Sequence, residues 1–151
     1  MKNEKPTRSE LLASRSVISE MRQAYVASDV GGLHPTEQGG FLVRDAQANF
    51  TAIRLPASAS DSLSFPLCSN GLFQGQEIVG SFHTHPNAGP EWRQEPSPQD
   101  IRLSKEYPET MGVHQFVISR EDFYHIDNDG LVTVVGRTAE VLKLGDEELN
   151  P

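Results

Sequence analysis

The sequence predicts an α+β domain with a mixed β-sheet flanked by helices. Three observations carry this expectation. A capped amphipathic segment opens the chain, and short apolar runs of strand length follow it. A second capped helix start, Ser97-Pro98-Gln99-Asp100, divides those runs. The resulting order is helix, two strands, strand, helix, three strands.

Each element has a local reason. Thr7-Arg8-Ser9-Glu10 fits a capping box, a hydroxyl followed three residues on by Glu. Leu11, Ile18 and Tyr25 fall seven apart with Met21 on the same face, which predicts a helix over residues 9–28, ended by Val30-Gly31-Gly32. Gly40 to Val43 and Phe50 to Leu55 read as an antiparallel pair across a polar connection. Residues 56–76, rich in Ser, Gly and Pro, read as a long connection without periodicity. Glu77 to His85 is a strand that Pro86 stops. Residues 87–96 form a second irregular segment, and Pro98 stands at the first position of a helix reaching about Glu106. His114 to Ile118, Phe123 to Ile126 and Leu131 to Val135 are strands, the last two joined by an Asn128-Asp129-Gly130 turn. Thr138 to Leu144 adds a short strand or helix. The expected organisation is an N-terminal tail over residues 1–8, one domain over 9–144 and an acidic C-terminal tail over 145–151.

Composition bounds the function. The chain has 151 residues, enough for one domain with its own core. Lys and Arg total 13 against 21 Asp and Glu, a net charge of -8, which argues against a nucleic-acid backbone as ligand. A single cysteine, Cys68, excludes an internal disulfide framework and a multi-cysteine zinc site. No apolar stretch approaches the roughly 20 residues that span a bilayer. The start MKNEKPTRSE lacks the apolar core of a secretory signal, so a cytoplasmic location is expected, with export by an unmarked route left open.

The sharpest chemical feature is His83-Thr84-His85-Pro86. Residues i and i+2 of a strand share a face, so two imidazoles can converge on one ion. Two polar residues on the wet face of an edge strand would look the same. Ser97-Pro98-Gln99-Asp100 is likewise a good helix start without any catalysis. A carboxylate in a first helical turn is also a rigid ligand kept ionised by the peptide dipoles. Two imidazoles and one carboxylate leave a tetrahedral zinc one position for water, whose pKa falls towards about 7. Hydrolysis also needs a proton relay. Glu37, in Thr36-Glu37-Gln38-Gly39-Gly40, is the best-placed acid, because the glycines permit close approach.

Glu37 with its Gly-bearing strand start, His83-x-His85-Pro86, ten residues, then Ser97-x-x-Asp100 resembles the signature of the JAMM (JAB1/MPN/Mov34) zinc metalloproteases. The resemblance covers about residues 9–136 and implies an MPN/JAMM-like, cytidine-deaminase-like fold. It implies that His83, His85 and Asp100 bind Zn2+, that Glu37 is the general acid/base and that Ser97 hydrogen-bonds the oxyanion. The implied activity is hydrolysis of a peptide or isopeptide bond in a peptide or ubiquitin-like protein substrate, with no nucleic-acid or membrane partner. Two other readings stand beside it. One is a catalytically silent MPN scaffold. The other is a cupin-type metal oxygenase, in which His83, His85 and Glu91 would need His114 and His125 facing inward.

The remaining residues divide between functional and plain readings. Trp92 lines a substrate groove or covers the second helix. The stretch from Phe65 to Phe73 is a flap over the cleft or a loop with its own small cluster. Phe82 and Phe116 face the core. His34 is a loop histidine, Asp127 to Gly130 a turn lacking the later Glu of a calcium loop, and Cys68 a plain thiol without an adjacent base.

Overall fold

The computed structural model describes residues 4–30, 32–56, 63–86 and 94–145. Helices α1 (Arg8–Leu12) and α2 (Arg15–Ala27) lead into strands β1 (Gly39–Arg44), β2 (Phe50–Arg54), β3 (Leu72–Phe73) and β4 (Gln76–Thr84). Helices α3 (Pro98–Glu106) and α4 (Pro108–Met111) follow. Strands β5 (His114–Ile118), β6 (Asp122–Ile126) and β7 (Val132–Arg137) then precede a closing turn of helix, α5 (Thr138–Val141). The strands make one sheet in the order β2-β1-β4-β5-β6-β7, with β3 beside the start of β4. Among the described residues only β4 and β5 run parallel, which makes the sheet mixed as expected.

The expected helix over 9–28 is two helices. The Thr7–Glu10 capping box opens α1, with the Glu10 amide donating to Thr7 Oγ1 and the Thr7 amide to Glu10 Oε1. Ser14 then interrupts the run, because its hydroxyl accepts from the Val17 amide and caps α2. The break leaves the apolar stripe intact: Leu11, Ile18, Met21 and Tyr25 are all buried. Three other expectations shift. The 56–76 connection carries the short strand β3, the strand predicted to reach His85 ends at Thr84, and α4 is an element the periodicity did not reveal. Pro108 begins α4, and Gly112 (φ 77°) ends it hard against β4, where a Cβ would lie 2.3 Å from the Gly80 nitrogen. Residues 138–144, open between strand and helix, contain α5.

Strand alternation sorts the core into two layers. On one face Leu42, Val79, Phe82, Phe116 and Phe123 pack against Leu11, Val17, Met21 and Ala24 of the first two helices. Each of these side chains larger than Ala24 contributes about 1.5–3 kcal/mol. On the other face Phe41, Val43, Leu55 and Ile78 lie under Leu63, Phe65 and Phe73, while Val117 and Ile126 pack with Ile101 of α3. The register pairs Gly39 with His83 and Phe41 with Ser81, so His83 belongs to this second face. The crossover from β4 to β5 therefore lays the first turn of α3 over the end of β4. None of the helices among the described residues is long and apolar enough to cross a membrane.

Candidate metal centre

Alternation along β4 sends Ser81 and His83 to the α3 face and Phe82 and Thr84 to the other. His85 follows the strand end, where its amide still donates to the Ile118 carbonyl at 2.8 Å. Both imidazoles meet one carboxylate. His83 Nε2 is 3.2 Å from Asp100 Oδ1, and His85 Nε2 is 3.2 Å from Oδ2.

The helix cap aims that carboxylate. The Asp100 amide donates to Ser97 Oγ at 3.1 Å, and the Ser97 amide donates to Asp100 Oδ2 at 2.8 Å. The plain reading of Ser97-x-x-Asp100 as a capping box and the ligand reading are thus the same geometry. Gln115 of β5 adds a side-chain N–H to the Asp100 carbonyl at 2.8 Å. His85 Nδ1 lies 3.1 Å from the Gln94 carbonyl, which can only accept, so Nδ1 donates there and Nε2 is the nitrogen turned to Asp100 and free to become a metal ligand.

The electrostatics of the trio are those of a cation site. Burial works against a charged His83, but the Asp100 charge and hydrogen bond, aided by Glu37, raise its pKa above the usual value. Burial likewise opposes ionisation of Asp100. His83, His85 and the Ser97 amide outweigh it and hold the carboxyl far below the ordinary range. A metal ion satisfies the same groups by replacing the proton. The donor set fits one: the three ligand atoms lie within 4.8 Å of one another. Tetrahedral bonds of ~2.0–2.1 Å place donors about 3.3 Å apart, so small side-chain rotations suffice.

Glu37 precedes β1 on the same side. Its Oε1 accepts from the Leu63 amide at 2.8 Å, and it shares a cleft of about 400 Å3 with His83, Asp100 and Phe65. The Phe65 ring meets His83 edge-on at 6.5 Å and Phe41 at 5.4 Å. The described part of the 56–76 segment packs through Leu63, Phe65, Cys68 and Phe73 on Phe41, Val43, Leu55 and Ile78, and its Leu63, Ser64 and Phe65 line the cleft.

The structure brings His83, His85, Asp100, Ser97 and Glu37 to one end of β4. It does not bring His114 or His125 there; they bond to each other at the opposite end of the β4–β5 ladder, against what a cupin site would need. Trp92 and Glu91 lie outside the described residues. Cys68 has its thiol pKa raised by burial, away from nucleophile behaviour. His34 is exposed, and Asp127 Oδ1 closes its turn by accepting from the Asp129 and Leu131 amides. Sequence reasoning missed Leu63, which contributes only an amide and so left no signal. It also missed Thr84, whose place inside His-x-His sends it to the opposite face and could have marked it.

A mixed sheet carrying, at the end of its β4–β5 parallel pair, a His-His-Asp group that could hold a metal ion defines an α+β domain with a candidate metal centre. The chain belongs to the prokaryotic homologs of the JAB domain, whose family model matches residues 14–136. A search of curated proteins returned no match.

Proposed function

We propose that this chain is a zinc-dependent amide hydrolase that cleaves a peptide or isopeptide bond, with a peptide or ubiquitin-like protein as substrate. One observation carries the reading: a carboxylate shared by two imidazoles faces a second carboxylate, Glu37, across a single cleft. His83, His85 and Asp100 would hold the ion, and zinc bound there lowers the pKa of a water and polarises the scissile carbonyl.

The chain's own groups do the rest. Glu37 takes a proton from the attacking water as its oxygen adds to the carbonyl carbon. The Leu63 amide holds one oxygen of this carboxylate and leaves the other for the proton. Ser97 Oγ already accepts from the Asp100 amide, so its O–H proton is the one to offer the tetrahedral oxyanion. When the C–N bond breaks, Glu37 passes its proton to the departing nitrogen, which leaves as a neutral amine.

The test is Glu37→Gln. It keeps about one zinc per chain while hydrolysis of ubiquitin-like fusions and short peptides falls roughly 10²–10⁴-fold. A wild-type chain that binds zinc and a protein partner yet cleaves nothing in that panel favours the silent scaffold instead.

A further inference from the structure

We infer that Ser28 and Thr84 form a buried hydroxyl relay that sets where Glu37 stands relative to His83 and His85. The inference rests on the proposed role of Glu37, but the bonds that carry it lie on the other face of the sheet. Ser28 caps α2, and Thr84 is the middle residue of the His-x-His motif; neither is exposed to solvent.

The direction of the chain of bonds follows from counting protons. Ser28 Oγ donates to the Ala24 carbonyl at 2.9 Å, which uses its only hydrogen. In the Ser28–Thr84 contact the donor must then be Thr84 Oγ1. Thr84 Oγ1 in turn accepts from the Gln38 amide at 3.0 Å. Two backbone bonds complete the fastening: the Thr84 amide donates to the Gln38 carbonyl at 2.8 Å, and the Thr36 amide to the Ser28 carbonyl at 2.9 Å.

Both neighbours of Glu37 are therefore tied down. Thr36 is held by the end of α2, and Gln38 by the strand that carries both imidazoles. Glu37 is the one residue between these ties, and its carboxylate reaches the Leu63 amide on the site side. A directional bond inside a packed core fixes position more tightly than apolar contact does, because leaving either hydroxyl unpaired costs about 1–3 kcal/mol. Ser28 and Thr84 are thus positioning residues, acting through the backbone of residues 36–38.

Thr84→Val tests the relay, since valine keeps the shape and loses both the acceptor and the donor. Amide exchange at Gln38 is expected to quicken roughly tenfold in the folded protein while most other amides keep their rates. The variant should hold about one zinc per chain, with kcat down roughly 10- to 100-fold and KM near wild type. Thr84→Ser should restore both readouts. Ser28→Ala, remote from the metal ligands, should move them the same way by less, and it decides the matter if Thr84→Val does not fold. Wild-type exchange at Gln38 in Thr84→Val, faster exchange throughout the chain, or loss of zinc together with activity would each overturn the relay. If the wild-type chain hydrolyses nothing, the functional reading fails, and the exchange measurements still judge the relay.

Discussion

His83 and His85 stand at the carboxyl end of β4, while His114 and His125 stand at the other end of the β4–β5 ladder, where His114 is paired with Gly80. Both are pairs of close imidazoles, with ring centroids 5.2 Å and 4.9 Å apart. They differ in what completes them. The first pair shares the carboxylate of Asp100, which raises the pKa of His83 despite burial. Among the described residues the second pair has no carboxylate hydrogen-bonded to it. His114 Nε2 donates to the Pro6 carbonyl at 2.7 Å, so its Nδ1 is the acceptor for the His125 Nε2–H at 2.7 Å. In that arrangement both rings are neutral, and protonating both would set two donors face to face. Burial lowers both pKa values, His125 to about 4; the bond to the Pro6 carbonyl opposes this at His114, His114 and Arg8 add to it at His125, Arg8 adds to it at His114, and Asp127 opposes it at both. The difference teaches that imidazole proximity alone says little. A carboxylate makes a pair attract cations, and backbone carbonyls make it a neutral clasp, here fastening the N-terminal segment to the sheet.

The largest effect that sharpens this contrast is on metal content. If the wild type holds the proposed one zinc per chain, His83→Ala or Asp100→Ala should leave far less, measured by elemental analysis after gel filtration. His125→Gln, whose amide can still reach His114 Nδ1, should keep its full complement. Zinc lost from His125→Gln and kept in His83→Ala would reverse the assignment of the two pairs.

A smaller effect is on acid stability. The folded state keeps the clasp neutral, whereas unfolded histidines titrate near 6.5, so below that pH the unfolded chain binds more protons. The clasp's contribution is complete above about pH 6.5 and declines towards pH 4. Denaturant unfolding of the metal-free protein should show stability dropping by about 1 kcal/mol from this source between pH 7 and 5, after allowance for screening. His125→Gln should flatten that slope, and an unchanged slope would remove His125 from the account. The smallest effect is that of Arg8→Gln. Removing this charge should raise the titration of both clasp histidines by a few tenths of a pH unit, read from their ring-proton resonances in NMR.

Much of this was legible in the residues because it is local. Thr7–Glu10 and Ser97–Asp100 are capping boxes within one turn, the His-x-His spacing follows from a two-residue repeat, and Asn128-Asp129-Gly130 spells its own turn. Ser14 was legible as a hydroxyl but not as a break, since the buried stripe runs on across it. Strand β3 is two residues long, too short for any periodicity, and exists because β4 offers it an edge. The Leu63 amide was beyond reach, because every residue but proline has one.

The sequence by itself determined the order of the longer strands and helices, the alternation that turns both imidazoles to one side, and the cap that aims Asp100, for these depend on neighbours a few bonds away. Only the tertiary structure decided that α3 crosses over the end of β4, that Glu37 faces the same cleft, and that His114 closes on His125 and Pro6. Those meetings join residues far apart in the chain. They are set by which strands pair and in what register, and register depends on how the whole apolar set packs on both faces of the sheet.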